Sequence, residues 1–520
     1  KGVFFLAELK ALQNGSDIRG IALDTEEQTA TLTATAVAEI AVGVVRWLQD
    51  KKQLPRKAQQ RLTIAIGHDS RLTAEPIKQA LVDTFLSLGI QVIDVGLATT
   101  PAMFMATQFP TLQCDAAIMI TASHLPYYFN GLKFFTAEGG AEKEDIRYIL
   151  SHTDPLTANE NGTLMKQELL PIYAEHLVEK IRQGIHSPEE KPLQGFRIIV
   201  DAGNGAGGFF AEQVLQVLGA DTTGSQFLEP DGHFPNHVPN PDNSEAMKSI
   251  QTAVLANQAD LGIIFDTDVD RSAVVDQSGE VLNRNNLIAV LAAIVLKEAP
   301  GSYIVTNSPT SSHLKTFIEE KGGQQIRYIS GYRNVINKMI ELNHGGFQTP
   351  LAIETSGHAA FQENYNLDDG AYVVAKILML LPELKQNNQT LGDLIATLKQ
   401  PAETNEFRFK ITAEDVTCYG QQVLRDFELF VENQADFAVD RENQEGVRGN
   451  VSGQYGSGWF LLRLSLHEPL LVLQVENDQS DKNACVIEKI ATFLQKYEEI
   501  DSQQIEKYSR KLKCFLWKMF

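Results

Sequence analysis

A chain of 520 residues exceeds what one hydrophobic core serves, so three or four domains of about 100–150 residues are expected. With 43% hydrophobic and 21% charged residues, and no uncharged apolar stretch long enough to span a bilayer, the composition is that of a globular, non-membrane protein. A net charge of -21 repels phosphate backbones and argues against nucleic acid, yet leaves room for a small phosphorylated metabolite in a locally basic cleft.

Along the chain, short Val- and Ile-rich runs alternate with segments of helical period. Leu62 to Gly67, a helix near Pro76 to Leu88, Val92 to Val95 and Ala116 to Ile120 read as parallel α/β. The pattern restarts after the polar stretch Ser187 to Gly195, where Phe196 to Val200 runs into the Gly-rich turn Asp201 to Gly208. A third start at Ser302 to Thr306 follows an apolar helix around Leu287 to Leu296. From about Glu403 the texture changes. Alternation at Phe407 to Lys410, a Gly-rich segment from Gly446 to Gly458, the strands Trp459 to Leu466 and Leu470 to Val475, and a helical Cys485 to Tyr497 predict a smaller α+β unit. The expected domains are 1–190, 191–300, 301–402 and 403–520.

Four constellations carry chemistry. Thr121-Ala122-Ser123-His124 follows an apolar strand and precedes Asn130-Gly131-Leu132-Lys133. A hydroxyl beyond a strand's carboxyl end lies where open α/β sheets hold ligands, although alone it is equally a capping serine beside a surface histidine. Asp266-Thr267-Asp268-Val269-Asp270-Arg271 follows Leu261 to Phe265, and three carboxylates spaced by two can converge on one hard cation. The absence of Cys and His favours Mg²⁺ over Zn²⁺. Glu354-Thr355-Ser356-Gly357-His358 suits sugar hydroxyls and proton transfer, or is simply a polar loop. Arg463-Leu464-Ser465-Leu466-His467 suits a phosphate clamp, or is an amphipathic strand with an exposed arginine.

In this order and at these separations, the segments resemble the α-D-phosphohexomutase family, which includes phosphoglucomutase and phosphomannomutase. The resemblance runs from Ser16-Asp17-Ile18-Arg19-Gly20 to the last phosphate loop, and takes in Gly67-His68-Asp69-Ser70-Arg71, Asp201-Ala202-Gly203-Asn204-Gly205 and Phe234-Pro235-Asn236-His237. It implies three similar α/β domains with mixed sheets and a smaller α+β C-terminal domain around a central cleft. It also implies that Ser123 becomes a phosphoserine and joins Asp266, Asp268 and Asp270 in holding Mg²⁺. Arg271 would contact the phosphoryl group, Lys133 and His358 would move protons, and Arg19 and His124 would line the reacting centre. Glu354, Ser356 and Arg333 would hold the sugar; Arg463, Ser465 and His467 would hold the distal phosphate. The family often carries Lys at the position of Arg333 and Gly at that of Thr267. Leu466 and His467 stand where it usually has Gly or Asn and then Thr.

The activity so implied is phosphoryl exchange between the 1- and 6-positions of a hexose phosphate, glucose favoured over mannose, with hexose 1,6-bisphosphate as activator and phosphate donor. Two alternatives stay open: a hexose-1,6-bisphosphate synthase fed by a donor such as fructose 1,6-bisphosphate, and a silent relative that only binds sugar phosphates. Partners are expected to be small sugar phosphates, with neither nucleic acid nor membrane involved, for a monomer or small homo-oligomer. Cys114, Cys418, Cys485 and Cys514 lack metal-ligand spacing and read as free thiols of a reducing compartment. Localisation is expected to be cytoplasmic, or plastidial if a transit peptide has been removed, since Lys1 rather than Met opens the sequence.

Overall fold

The computed structural model describes residues 8–55, 60–158, 160–466, 468–505 and 508. A first mixed sheet is built from β1 (Gln13–Asn14), β2 (Asp17–Ile21), β3 (Thr63–His68), β4 (Gln91–Leu97), β5 (Ala116–Ile120), β6 (Phe129–Thr136), β7 (Gly139–Gly140) and β8 (Thr163–Lys166). Its order is β1-β2-β6-β5-β3-β4-β8, with β7 paired to β6. β5, β3, β4 and β8 run parallel, whereas β6 is antiparallel to both β5 and β2. β3 and β5 are buried almost throughout, which is why their sequences are continuously apolar rather than alternating. Helices α1 (Ala34–Arg46) and α2 (Ala74–Ser87) bury Val37, Ile40, Val44, Ile77, Leu81 and Phe85 against this sheet.

After α3 (Thr100–Ala106), α4 (Lys143–Ser151) and α5 (Leu170–Ile185), a second sheet has the order β12-β11-β10-β9. Its strands are β9 (Ile198–Asp201), β10 (Leu261–Phe265), β11 (Ser272–Asp276) and β12 (Val281–Leu282), with α6 (Ser244–Asn257) between β9 and β10. β9 and β10 are parallel, and β10 turns back antiparallel into β11, so the acidic loop 266–271 forms the hairpin connection. Next come α7 (Arg284–Glu298) and the parallel strands β13 (Tyr303–Asn307), β14 (Gln324–Tyr328) and β15 (Leu351–Ile353), with α8 (Ser312–Glu320) and α9 (Tyr332–His344) between them. β16 (Ala359–Phe361) and β17 (Leu367–Asp368) pair antiparallel and lead into α10 (Gly370–Gln386).

The last sheet is wholly antiparallel, in the order β18-β22-β21-β20-β19. It comprises β18 (Glu403–Lys410), β19 (Phe437–Val439), β20 (Val447–Val451), β21 (Gly458–Leu464) and β22 (Leu470–Asn477). α11 (Val416–Glu432) and α12 (Asn483–Leu494) contribute Val423, Phe427, Val486 and Ile490 to its core. The expected strand Trp459 to Leu466 ends at Leu464, and the Ser465 N–H closes the ladder on the Leu470 carbonyl before the chain turns into the next strand.

The chain divides into two compact units, Lys1–Ile294 with Ser356–Ile395, and Val295–Thr355 with Ala396–Phe520. In the second, the fully buried Arg448 donates to the Ser308 and Thr310 carbonyls at 3.0 Å and lies 3.7 Å from the Trp459 ring centroid, which fastens the β13 turn to the antiparallel sheet. Cys114, Cys418 and Cys485 are free thiols, and Cys514 lies outside the described residues. No helix among the described residues is long and apolar enough to cross a membrane.

Candidate active site

Adjacent strands of the first sheet assemble the first half of the site. β5 ends at Ile120 and delivers Ser123, its antiparallel neighbour β6 carries Lys133 opposite Met119, and β2 carries Arg19 opposite Gly131. Ser123 has φ +50°, in the left-handed region that non-glycine residues seldom occupy, and is 2% exposed. Its N–H donates to Thr121 Oγ1 at 2.9 Å, and its Oγ donates to Asp266 Oδ2 at 3.0 Å.

The β10–β11 connection supplies the second half. The Arg271 N–H donates to Asp266 Oδ1 at 3.1 Å, closing the acidic loop, and Val269 turns through φ +65°. The guanidinium of Arg271 reaches Asp266 Oδ2 (3.0 Å from Nε), Ser123 Oγ (3.2 Å) and His124 Nδ1 (2.7 Å). Lys133 Nζ lies 3.1 Å from Asp270 Oδ2 and 3.5 Å from Asp17 Oδ2, and Asp17 also accepts from Arg19 at 3.0 Å. His358 forms a bridge with Arg271 through the backbone, and its Nδ1 is 2.5 Å from Asp368 Oδ2 and 4.0 Å from Asp270 Oδ1. Thr267 is fully buried, and an added Cβ at Gly205 would stand 2.6 Å from the Thr267 carbonyl oxygen, so glycine in the Asp201 to Gly208 turn lets the acidic-loop backbone approach closely.

Burial and the neighbouring Asp270 hold the Asp266 carboxyl well above the usual carboxylate range, and the same two causes raise Asp268. At Asp270 burial acts upward too, but Lys133, His358 and Arg271 together outweigh it and the group is held low. Arg271 and burial push His124 well below the ordinary imidazole value, so it stays neutral and accepts from the guanidinium. Carboxylate oxygens of Asp266, Asp268 and Asp270 lie within 4.8 Å of one another, and Oδ1 of both Asp268 and Asp270 is buried with no hydrogen-bond partner among the described residues. Three carboxylates held this close, two of them with an oxygen that has no hydrogen-bond partner among the described residues, fit a hard divalent cation such as Mg²⁺.

The remaining sequence candidates lie elsewhere in the chain. In the second unit, Glu354 Oε1 accepts from the Gly331 N–H at 2.7 Å, while Glu445 accepts from both the N–H and the hydroxyl of Ser330. Glu445 Oε1 is also 3.6 Å from Arg463 Nη1, so the Arg463 guanidinium and the Ser330–Gly331 turn share one carboxylate. Ser465 Oγ accepts from the Glu468 N–H, and Leu466 is 46% exposed beside Gly331. Arg333 bonds along its own helix to Asn337. Ser356, in the first unit, has a buried hydroxyl with no hydrogen-bond partner among the described residues, and His467 lies outside them.

Asp17, Asp368, Thr100, Asp69, Thr121 and Glu445 were not singled out by sequence reasoning. Asp17, Asp69 and Thr121 lie inside motifs that gave a signal without giving the role of these side chains. Asp368, Thr100 and Glu445 offered none, because their partners are distant in sequence.

Profiles described as phosphoglucomutase/phosphomannomutase, alpha/beta/alpha domains I, II and III match residues 10–158, 171–279 and 283–401. A phosphomannomutase/phosphoglucomutase of Pseudomonas syringae pv. tomato is 31% identical over 468 residues, covering 88% of this chain and 90% of the relative. One from Pseudomonas putida is 30% identical over 424 residues, covering 81% and 85%. Among solved structures, a phosphoglucomutase/phosphomannomutase family protein of Burkholderia thailandensis superposes with a TM-score of 0.76 at 25% identity, over 95% of this chain and 99% of its own. With all three domain profiles matched in order and relatives aligned over most of their length, the chain belongs to the α-D-phosphohexomutase family of intramolecular phosphotransferases.

Proposed function

We propose that the protein interconverts hexose 1-phosphate and hexose 6-phosphate, with glucose preferred, through a phosphorylated Ser123 and a hexose 1,6-bisphosphate intermediate. The observation that carries this reading is the buried Ser123 Oγ, 3.0 Å from Asp266 and 3.2 Å from Arg271, where a hydroxyl, a carboxylate set and a fixed cation meet. Phosphoryl transfer asks the protein mainly to align oxygens and to neutralise charge, and these groups suit both tasks. In the first half-reaction a hexose hydroxyl oxygen attacks the phosphorus, the bond to Ser123 Oγ breaks with its electron pair staying on Oγ as an alkoxide beside Arg271, and the hydroxyl proton passes to His358 or Lys133. The bisphosphate then turns end for end, Ser123 Oγ attacks the other phosphorus, and the released hydroxyl takes a proton back. Asp266, Asp268, Asp270 and a phosphoserine oxygen would hold Mg²⁺, which supplies charge neutralisation to the transferring group when bound. Arg271 orients the phosphoryl oxygens, with His124 and Arg19 beside it. Glu354, Ser356 and Arg333 bind sugar hydroxyls, and Arg463, Ser465 and His467 hold the phosphate that is not reacting. On this reading residues 1–190, 191–300, 301–402 and 403–520 are the functional domains, and the free thiols suit a cytoplasmic setting.

Phosphorus NMR of the protein with Mg²⁺ and glucose 1-phosphate tests the reading. A catalytic amount of glucose 1,6-bisphosphate should start conversion to glucose 6-phosphate, and Ser123→Ala should abolish it with the fold intact. Activity in that variant would reject the mechanism. Net accumulation of glucose 1,6-bisphosphate from fructose 1,6-bisphosphate would replace the mutase with a synthase.

A further inference from the structure

Resting on that assignment of Ser123, we infer that Asp69, Arg71 and Thr121 form a clamp that positions the nucleophile loop, with Arg71 as its principal positioning residue. The segment Gly67 to Arg71 has no part in the chemistry described above, yet its arginine is 2% exposed and faces the inner side of the Ser123 loop. Nη2 donates to the carbonyls of Ser123 and Leu125, each at 2.5 Å. Nη1 donates to those of Pro126 and Phe129 at 2.8 and 2.9 Å. Four terminal N–H bonds of one planar guanidinium are thus directed at four carbonyls within seven residues, a pattern that the three donors of a lysine ammonium cannot reproduce.

The clamp is itself held. Asp69 Oδ1 accepts from the Arg71 N–H at 2.9 Å, Asp69 Oδ2 lies 3.5 Å from Arg71 Nε, and the Phe234 ring centroid is 5.4 Å from the guanidinium carbon. Asp69 Oδ2 also accepts from Thr121 Oγ1 at 2.7 Å, and that same hydroxyl oxygen accepts from the Ser123 N–H. Ser123 is therefore gripped at both backbone ends, its N–H through Thr121 and its carbonyl through Arg71. Its left-handed conformation is one that a serine leaves when released. Relaxation to ordinary dihedrals would carry Oγ away from Asp266 and Arg271, and an ångström of misplacement can cost a transfer step about 100-fold. The clamp holds Ser123 through its backbone N–H and carbonyl and not through its hydroxyl, so the effect should fall on turnover rather than on sugar binding.

Steady-state kinetics of Arg71→Lys, with rates normalised to the folded fraction, decide the matter. The expected result is a fall in kcat of about 10- to 100-fold with KM for glucose 1-phosphate within about threefold of wild type. In Arg71→Ala, millimolar guanidinium should restore turnover where the same concentration of urea does not. Should neither Arg71 variant fold, Thr121→Val removes the other grip without touching the arginine and should show the same split between kcat and KM. Wild-type kcat in folded Arg71→Lys, or in Thr121→Val if that is the variant that folds, overturns the clamp. Ser123→Ala run alongside separates the two levels: activity in that control would refute the nucleophile itself, whereas an inactive control beside a fully active Arg71→Lys refutes only the clamp.

Discussion

At the scale of single residues, the site is governed by how each buried carboxylate is compensated. Asp270 faces Lys133, and Asp266 faces Arg271, whereas the Asp268 carboxylate accepts a short bond, 2.5 Å from the Thr100 hydroxyl, and its other oxygen has no hydrogen-bond partner among the described residues. The Thr100 N–H also donates to the Asp268 carbonyl at 2.8 Å, so one residue at the start of α3 fixes both the backbone and the side chain of the middle aspartate. Supporting hydrogen bonds of this kind typically change metal affinity by about 10- to 100-fold when lost. Thr100→Val, which preserves shape, should therefore raise the Mg²⁺ concentration for half-maximal activity by about that factor, with kcat at saturating Mg²⁺ close to wild type. A titration curve coincident with wild type would mean that Asp268 needs no such support. None of this was legible in the sequence: the Asp-x-Asp-x-Asp spacing announced a cation site, but Thr100 lies 168 residues from its partner and a lone threonine at a helix start reads only as a cap.

At the scale of elements, the sequence spoke most clearly where a strand is buried on both faces. Ala116 to Ile120, Leu261 to Phe265 and Leu351 to Ile353 have the limits expected of them, since continuous apolar runs end where polar loops begin. Less legible was the role of the Asp368-Asp369 pair ahead of α10. Asp368 faces His358, while Asp369 caps the helix through the Tyr372 N–H and accepts from Tyr173 and Asn364. A Gly370 Cβ would stand 2.6 Å from the Arg271 carbonyl carbon, so this cap brings the helix start against the acidic loop. Burial pushes the Asp369 carboxyl up to about 6 despite hydrogen bonds that act downward. Between its ordinary value and about pH 6, the folded state keeps a proton that the unfolded chain has released, so wild-type stability falls as pH rises through that window. Above it the full cost applies, on the order of 2–3 kcal/mol. Asp369→Asn has no proton to lose, so its thermal midpoint relative to wild type should become more favourable from about pH 4.5 to about pH 7.5. Melting curves whose difference is independent of pH would show that Asp369 ionises in the native state as it does in solvent.

At the scale of the whole molecule, alternating α/β texture and the change near Glu403 correctly predicted three α/β layers and a smaller final α+β unit, because period and composition are local properties. The return of Ser356–Ile395 to the first compact unit was not legible, since it depends on contacts such as Tyr173 to Asp369 that join elements 196 residues apart. That return has an energetic consequence: Asp266, Asp268, Asp270, Lys133, Arg271 and His358 all belong to one unit, and Arg463, Ser465 and Glu354 to the other. A cation binding only the folded first unit stabilises it by mass action, by about 2.7 kcal/mol at 100 times its dissociation constant. In a unit of this size that corresponds to a rise of a few degrees in the midpoint. Calorimetry in EDTA and in excess Mg²⁺ should then show one transition that moves and one that does not, and Asp268→Asn should suppress the movement without shifting the second transition. Because the cation would also relieve the repulsion that raises Asp266 and Asp268, the stabilisation should be larger near pH 8 than near pH 5, where protons compete for the same oxygens. A scan in which Mg²⁺ moves neither transition at either pH would remove the aspartates from the metal site, whatever the activity of the protein.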